Sequence, residues 1–273
     1  MTADAELDPH ALRATYDAQL RARDGDSLPA GASMERDGPL LRFVGFDGGG
    51  FLVYRDLGGL SGAELDALIA RQRDYFAARG EPVEWKLHGH DEPADLPDRL
   101  RSAGFEPEAP ETVVVGPVAG LAATQPVVPE GVRLREVTGR SDLDRIAAMK
   151  GEVWGDDRAW LADGLEKELA ADPQAITIVV AEAGGQVVCA GWVRYVAGTA
   201  FATLWGGATL PDWRGRGIYR AVVVYRARLA DARGYTYLQV DATDDSRPIL
   251  ERLGFVAVAT TTPYVFRPRP RPS

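Results

Sequence analysis

The residues with the clearest chemical potential lie between Leu210 and Gly234. Pro211 closes an apolar run, Arg214-Gly215-Arg216-Gly217-Ile218-Tyr219 follows, and an amphipathic pattern then continues to Gly234. Ile218, Val222, Tyr225, Leu229 and Ala232 recur at helical spacing and turn one apolar face inward, leaving Arg216, Arg220 and Arg228 outside. The first N–H groups of a helix have no intrahelical partners and stand at the positive end of its dipole. A helix that starts inside a glycine-arginine turn is therefore an anion site, and Gly215 and Gly217 let a bulky phosphate approach the backbone.

Other reactive side chains flank this turn. Gly206-Gly207, inside an apolar strand, marks either a bulge or two glycines lying beneath a large neighbour. Asp241, Asp244 and Asp245 end the next strand and are the available carboxylate bases, because His10, His88 and His90 all lie in the first half of the chain. Ser246 opens the following helix, as an N-cap or as a proton donor. Trp154 and Trp160 lie between two helices, and Trp205 and Tyr195 on strands, as pocket wall or as core. His88-Gly89-His90-Asp91 contains metal-ligand types, but its place before the Pro93 loop reads as a surface turn, and no metal site is expected.

Composition frames these residues. The chain has 273 residues, 45% apolar and 26% charged, the balance of a globular protein of one large or two ordinary domains. Up to Gln125 there are 12 basic and 22 acidic residues; from Pro126 onward there are 19 and 18. Only the second half suits a polyanion, and its basic excess is compact: Arg214, Arg216, Arg220, Arg226, Arg228 and Arg233. A sequence pI near 5.0 and the lack of a basic stripe with interleaved aromatics exclude a nucleic-acid groove, so a small multiphosphate ligand is expected. Cys189, the only cysteine, falls in an apolar strand and reads as core. Met1 to Pro9 carries no apolar run, so neither a secretory signal nor a membrane span is expected, and the expected location is cytoplasmic.

The elements that must position these groups follow from periodicity and turn chemistry. Leu7 to Arg23 reads as a helix, Gly25 to Gly38 as a loop, and Leu40 to Phe46 and Phe51 to Asp56 as a hairpin around Asp47-Gly48-Gly49-Gly50. Ser61 and Glu64 form a capping-box pattern for a helix to Arg79. A strand over Val83 to His88, a helix over Leu96 to Ala103 and a strand over Thr112 to Val115 precede a proline-rich stretch that reads as a linker. The second half predicts a strand at Val132 to Val137, helices at Ser141 to Val153 and Asp157 to Ala170, and strands at Ala175 to Ala183, Gln186 to Val196 and Ala200 to Leu210. After the turn and its helix come a strand at Tyr235 to Asp241, a helix at Ser246 to Leu253, a strand pair from Phe255 to Phe266, and an Arg-Pro tail. Ala78-Arg79-Gly80 followed by Ala103-Gly104-Phe105 parallels Ala232-Arg233-Gly234 followed by Leu253-Gly254-Phe255, which predicts a duplicated domain. In the first copy Ser61 and Glu64 would occupy the helix donors that the second leaves free, so that copy is expected to have lost the ligand.

The run Thr209-Leu210-Pro211-Asp212-Trp213 through Ile218, with Ser246-Arg247-Pro248-Ile249-Leu250-Glu251-Arg252-Leu253-Gly254-Phe255, resembles the GNAT superfamily of acyl-CoA-dependent acetyltransferases. The resemblance is good from Val132 to about Phe266 and weak before that. It implies an α/β fold with a mixed sheet: a degenerate GNAT-like domain over 1–116, a linker over 117–131 and a complete GNAT domain over 132–273. It further implies acetyl-CoA as co-substrate, bonded through Gly207, Ala208, Thr209, Arg214, Gly215, Arg216, Gly217, Ile218, Tyr219, Arg220 and Thr243. Ser246 and Asp241 are the catalytic candidates and Trp154 and Trp205 the substrate wall. Two positions depart from the family pattern: Tyr219 stands at a Gly/Ala place, and Leu250 where a tyrosine usually protonates the thiolate. The expected activity is N-acetylation of a primary amine on a small molecule or peptide, with no nucleic-acid or membrane partner and a homodimer compatible. The alternative is an acyl-CoA sensor or pseudoenzyme.

Overall fold

Each half of the chain alternates apolar residues over short strands and interrupts them with glycine turns, and the two sets of strands join into one sheet. The structure is a computed structural model that describes residues 8–21, 28, 31–46 and 49–268. The first half contains α1 (Pro9–Gln19), β1 (Ser33–Asp37), β2 (Leu40–Val44), β3 (Gly50–Val53), α2 (Gly62–Arg79), β4 (Val83–His88), α3 (Leu96–Ser102), β5 (Glu106–Pro107), β6 (Glu111–Pro117) and α4 (Val118–Ala122). The second contains β7 (Val132–Val137), α5 (Arg140–Trp154), α6 (Ala159–Ala171), β8 (Ile176–Ala183), β9 (Gln186–Tyr195), β10 (Phe201–Thr209), α7 (Ile218–Asp231), β11 (Tyr237–Ala242), α8 (Arg247–Glu251) and β12 (Val256–Phe266). No helix among the described residues is long and apolar enough to cross a membrane.

The strand order is β1-β2-β3-β4-β12-β6-β11-β10-β9-β8-β7. β1 to β4 repeats the order of β8 to β11, with β3 parallel to β4 as β10 is to β11. The halves exchange their last strands: β12 of the second half pairs with β4, β6 of the first pairs with β11, and β6 and β12 pair with each other at the centre. One face of the sheet carries α2, α3, α4, α7 and α8; the other carries α1, α5 and α6. On the first face Trp85, Phe105 and Tyr264 pack with Leu65, Leu68 and Leu100, and Val114, Leu238 and Leu250 pack with Val118, Val223 and Phe255. On the second, Leu12 and Tyr16 cover Val113, Val115, Phe201 and Val258.

Several elements differ from the sequence reading. The predicted loop over Gly25 to Gly38 contains β1, whose Ser-Met-Glu-Arg-Asp sequence shows no apolar alternation because it is a charged edge strand paired only with β2. Gly116 to Gly131 opens as the end of β6 and then forms α4, whose Val118 and Leu121 are buried near α7. The strand pair over Phe255 to Phe266 is a single strand with a bulge between Ala257 and Ala259, long enough to reach both β6 and β4. Ser61 makes no side-chain cap: Gly62 enters α2 at φ 53°, a left-handed turn that breaks the geometry of the capping box. The donors of α2 are therefore not taken by the Ser61 side chain, contrary to the expectation from the capping-box pattern. The ends of the Leu7 to Arg23 helix, Asp47-Gly48 of the hairpin turn and most of the C-terminal tail lie outside the described residues.

Candidate active site

β10 and β11 pair in parallel only from Phe201 and Tyr237 to Thr203 and Gln239, and part beyond that point. Their divergence coincides with a bulge on β10 between Trp205 and Ala208, opposite Trp192 and Ala190 of β9. Gly206 sits at φ 63°, and a Cβ there would lie 2.1 Å from the Trp192 ring; one on Gly207 would lie 2.6 Å from the Tyr219 ring. Both sequence readings of the glycine pair hold together: the strand bulges, and large rings fill the space beside each glycine.

Arg226 holds the bulge from behind. Sequence counted it in the compact basic excess suited to a polyanion, yet it is 1% exposed, because Gly191 leaves room for its guanidinium beneath β9. Its Nη1 donates to the carbonyls of Trp192 (3.1 Å) and Trp205 (3.3 Å) and its Nε to Val222 (3.2 Å). The Trp192 and Trp205 carbonyls lie where the β9–β10 ladder becomes irregular, and the Val222 carbonyl is one turn back on α7 itself. Burial pushes its pKa below the usual arginine range, opposed by the neighbouring Tyr219 and Cys189. The sequence had no signal for this role except that 226 falls four residues after the inward Val222.

The turn after β10 is a single 3₁₀ turn, Pro211–Trp213, followed by Gly215 at φ 72° and Gly217 at φ 78°. Gly217 is the N-cap of α7 and supplies no side-chain cap. Helical bonding starts with the Ala221 N–H donating to the Gly217 carbonyl (3.0 Å), so the N–H groups of Ile218, Tyr219 and Arg220 have no acceptor within the helix. No heavy atom outside the chain neighbours lies within 4 Å of a Cβ position at Gly215 or Gly217, which leaves the approach open. Arg214 Nε donates to the Thr209 carbonyl (3.2 Å), Arg216 stacks on Trp213 (4.8 Å), and Arg220 is exposed. Ile218 is buried, so only its backbone can meet a ligand. Ala208 and Thr209 pair with Ala190 and Cys189, and Thr209 Oγ1 donates to the buried Cys189 sulfur (3.2 Å).

At the mouth of the cleft Ser246 Oγ lies 3.3 Å from Thr243 Oγ1 and donates to the Thr243 carbonyl (3.2 Å). Its backbone is already helical and its side chain caps nothing, so the N-cap role does not form. Tyr219 interacts with Ser246 and Arg226, and burial raises its phenol pKa. Leu250 is core. Asp241 is committed to an ion pair with Lys86 of β4 and accepts from Gln239 Nε2 (2.8 Å). Trp205 is 43% exposed, with its Nε1 donating to Thr203 (2.8 Å) and Arg194 over its ring (4.6 Å). Trp154, 53% exposed, pairs with Arg158 at the end of α5. His88 is no surface residue: it is 5% exposed and its Nε2 bonds the Tyr16 hydroxyl (2.9 Å). A cavity of about 550 Å³ lies in the first half, between α1, the turn before α2 and the His90 to Pro93 segment.

Lys150 was missed by sequence, although it falls seven residues after Leu143 on the inward face of α5. It is buried 5.3 Å from the Trp192 ring, and burial, with Arg158 and Arg226 nearby, pushes its pKa down to about 8. The unfolded chain binds this proton up to about pH 10.4, so stability rises with pH between about 8 and 10. Lys150→Met is expected to gain about 2–3 kcal/mol at pH 7 and to abolish that rise, as urea unfolding across pH would show. An unchanged slope would place the ammonium in water.

Residues 142–255 match the model of the acetyltransferase (GNAT) family. A search of curated protein sequences returns no match. Among solved structures, a GCN5-related N-acetyltransferase from Kribbella flavida superposes with a TM-score of 0.68 at 17% identity, over 94% of this chain and 95% of its own. A tandem GNAT protein from the clavulanic acid biosynthesis pathway gives 0.63 at 12% identity, over 99% and 97%. A GCN5-related N-acetyltransferase from Sphaerobacter thermophilus gives 0.57 at 16%, over 88% and 76%. At these identities the structural likeness concerns fold, and the family match rests on the second half. Residues 142–255, with their parted strands and open helix N-terminus, are thus a domain of the acetyltransferase (GNAT) family, set in a chain with the fold of tandem GNAT proteins.

Proposed function

We propose that the chain is an acetyl-CoA-dependent N-acetyltransferase acting on a primary amine of a small molecule or peptide. The observation that carries this reading is the uncapped start of α7, with open glycines at 215 and 217, set beside the point where β10 and β11 part. The residues fit the coenzyme. Unpaired N–H groups of Ile218 to Arg220 suit a pyrophosphate, and the unpaired edges beyond Thr203 and Gln239 suit a pantetheine arm. Bound there, acetyl-CoA supplies an activated acyl thioester. The chain's own task is to deliver a neutral amine, offer N–H donors near the Ala208 bulge, and hold a hydroxyl near the leaving sulfur. Ser246, with Thr243 and Tyr219 beside it, is the hydroxyl group we assign to that last role. The domain division at 116 and 132 belongs to the same proposal, with the first half completing the acceptor side.

Leu250 favours the second reading, a coenzyme-binding protein without transfer. Release of free thiol across an amine panel separates the two: tight binding of acetyl-CoA with no amine-dependent turnover supports the sensor. For the coenzyme site the test is calorimetry on Gly217→Trp, which forces a bulky side chain into a left-handed position at the helix start. Acetyl-CoA affinity is expected to fall roughly a hundredfold or more, with folding retained by circular dichroism. Parental affinity would remove the phosphate assignment.

A further inference from the structure

We infer that Glu111, carried by β6 of the first half, is the base that takes a proton from the acceptor's ammonium group, and that this acceptor is a primary amine with no carboxylate beside its nitrogen. The inference rests on the acetyl-transfer reading above. Residues directly opposite one another in a sheet share a face. Through the pairs Thr203–Gln239, Asp241–Val113, Glu111–Thr261, Thr261–His88 and Pro263–Lys86, one face brings together Gln239, Asp241, Glu111, Thr261, His88 and Lys86. This is the face covered by α1 on one side and by α5 and α6 on the other, opposite the face on which α7 carries the coenzyme turn. An acceptor entering between those helices meets Trp205 and Asp241 where β10 and β11 part.

The charge there is unbalanced. Glu84, Glu111 and Asp241 surround Lys86, which is already paired with Asp241, and Glu108 beside them is held by Arg267 (2.6 Å). The Glu111 side chain makes no hydrogen bond or ion pair among the described residues, its backbone pairing with Thr261 of β12. A second observation distinguishes this cluster from an ordinary acidic surface. Thr261 Oγ1, directly opposite Glu111 and fully buried, has no hydrogen-bond partner, whereas the buried His88 Nδ1 faces the Asp91 carboxylate at 3.8 Å. Buried polar atoms are normally satisfied, so this row is built to meet something polar.

The charged groups around Glu111 are Glu84 and Lys86 on β4, Asp241 on β11 and Glu108 in the preceding loop, the last held by Arg267. Burial and the three neighbouring carboxylates raise the Glu111 carboxyl to about 7 against the opposing pull of Lys86, which suits a base working at neutral pH. In the step, one N–H bond of the ammonium breaks, its proton and a carboxylate oxygen of Glu111 form an O–H bond, and nitrogen keeps the electron pair it needs to attack the thioester. An amino acid would bring its own carboxylate against this cluster with no free cation to receive it.

The experiment uses the full chain, phenethylamine and phenylalanine as a matched pair within a panel of primary amines, and the variants Glu111→Gln and Glu111→Asp. The parent should acetylate phenethylamine roughly tenfold or more faster than phenylalanine and lose kcat/KM below about pH 7. Glu111→Gln should lose roughly a hundredfold at pH 7, lose the acid limb and recover as pH nears the amine's own pKa; Glu111→Asp should keep the limb at a lower rate. Calorimetry without coenzyme should show phenethylammonium binding weakened in Glu111→Gln and acetyl-CoA binding unchanged. A Glu111→Gln enzyme with parental rate and acid limb overturns the base, and equal use of phenylalanine overturns the acceptor class, both leaving the transferase reading intact. A parent that releases no thiol with any amine overturns base and transferase together.

Discussion

Arg226→Ala is expected to lower folding stability by about 3–5 kcal/mol and to reduce acetyl-CoA binding below detection. The guanidinium is fully buried, reaches three carbonyls and forms no carboxylate pair among the described residues. Truncation removes the guanidinium donor from the Trp192 and Trp205 carbonyls, each loss worth about 1–3 kcal/mol, and opens a cavity under β9. The desolvation cost of the charge itself runs the other way, and Arg226→Met measures it by keeping most of the volume while removing the cation. Methionine should recover about half of the alanine loss in urea unfolding, because packing returns and the carbonyls still lack the guanidinium donor. Neither variant should bind acetyl-CoA by calorimetry, since without Arg226 the bulge has no anchor. A stable Arg226→Ala protein with parental affinity would show that the bulge is held by β9 and β10 alone.

The second large effect is expected at Gly206. Alanine there must adopt φ 63° and place its Cβ 2.1 Å from two atoms of the Trp192 ring. The left-handed backbone costs about 1 kcal/mol for a non-glycine residue. Displacing a buried indole costs about 1–3 kcal/mol more, so the total is about 2–4 kcal/mol, a fall of roughly 5–10 °C in melting temperature for a chain of this size. The paired variant Gly206→Ala with Trp192→Leu tests the mechanism: it should recover the steric part and leave the backbone part, a coupling that a double-mutant cycle reads directly. Additive effects would mean that the ring is not what the glycine accommodates.

What sequence made legible was local. The turn from Arg214 to Gly217, the helix behind it and the boundaries of β4 and β7 follow from spacing, proline and glycine, which act within a few residues. Leu250 in the family's tyrosine place was equally plain, since it is a matter of counting. What escaped depends on partners distant in sequence. Arg226 was legible only as one more cation near the phosphate turn, because helical periodicity does not know that position 191 is glycine. Glu111, just before the strand predicted from Thr112, drew no notice, because its neighbours come from β4, β11 and β12, up to 150 residues away in the register Glu111–Thr261. The Ser61 capping box failed for a nearer reason, the left-handed Gly62 inside its span.

The exchange of β6 and β12 also constrains how the molecule is made. On the ribosome the first half emerges with β4 and β6 each lacking the neighbour that β12 will become, and that neighbour is complete only at residue 266. Until then two strand edges in the centre of the future sheet stand open, the condition that favours pairing with other chains. The closing contact, Thr261 to His88, joins residues far apart in sequence, so loop-closure entropy makes it late and slow. The decisive step in folding this protein therefore waits for its last strand, and its yield depends on keeping two nearly complete half-sheets from pairing with other chains until that strand arrives.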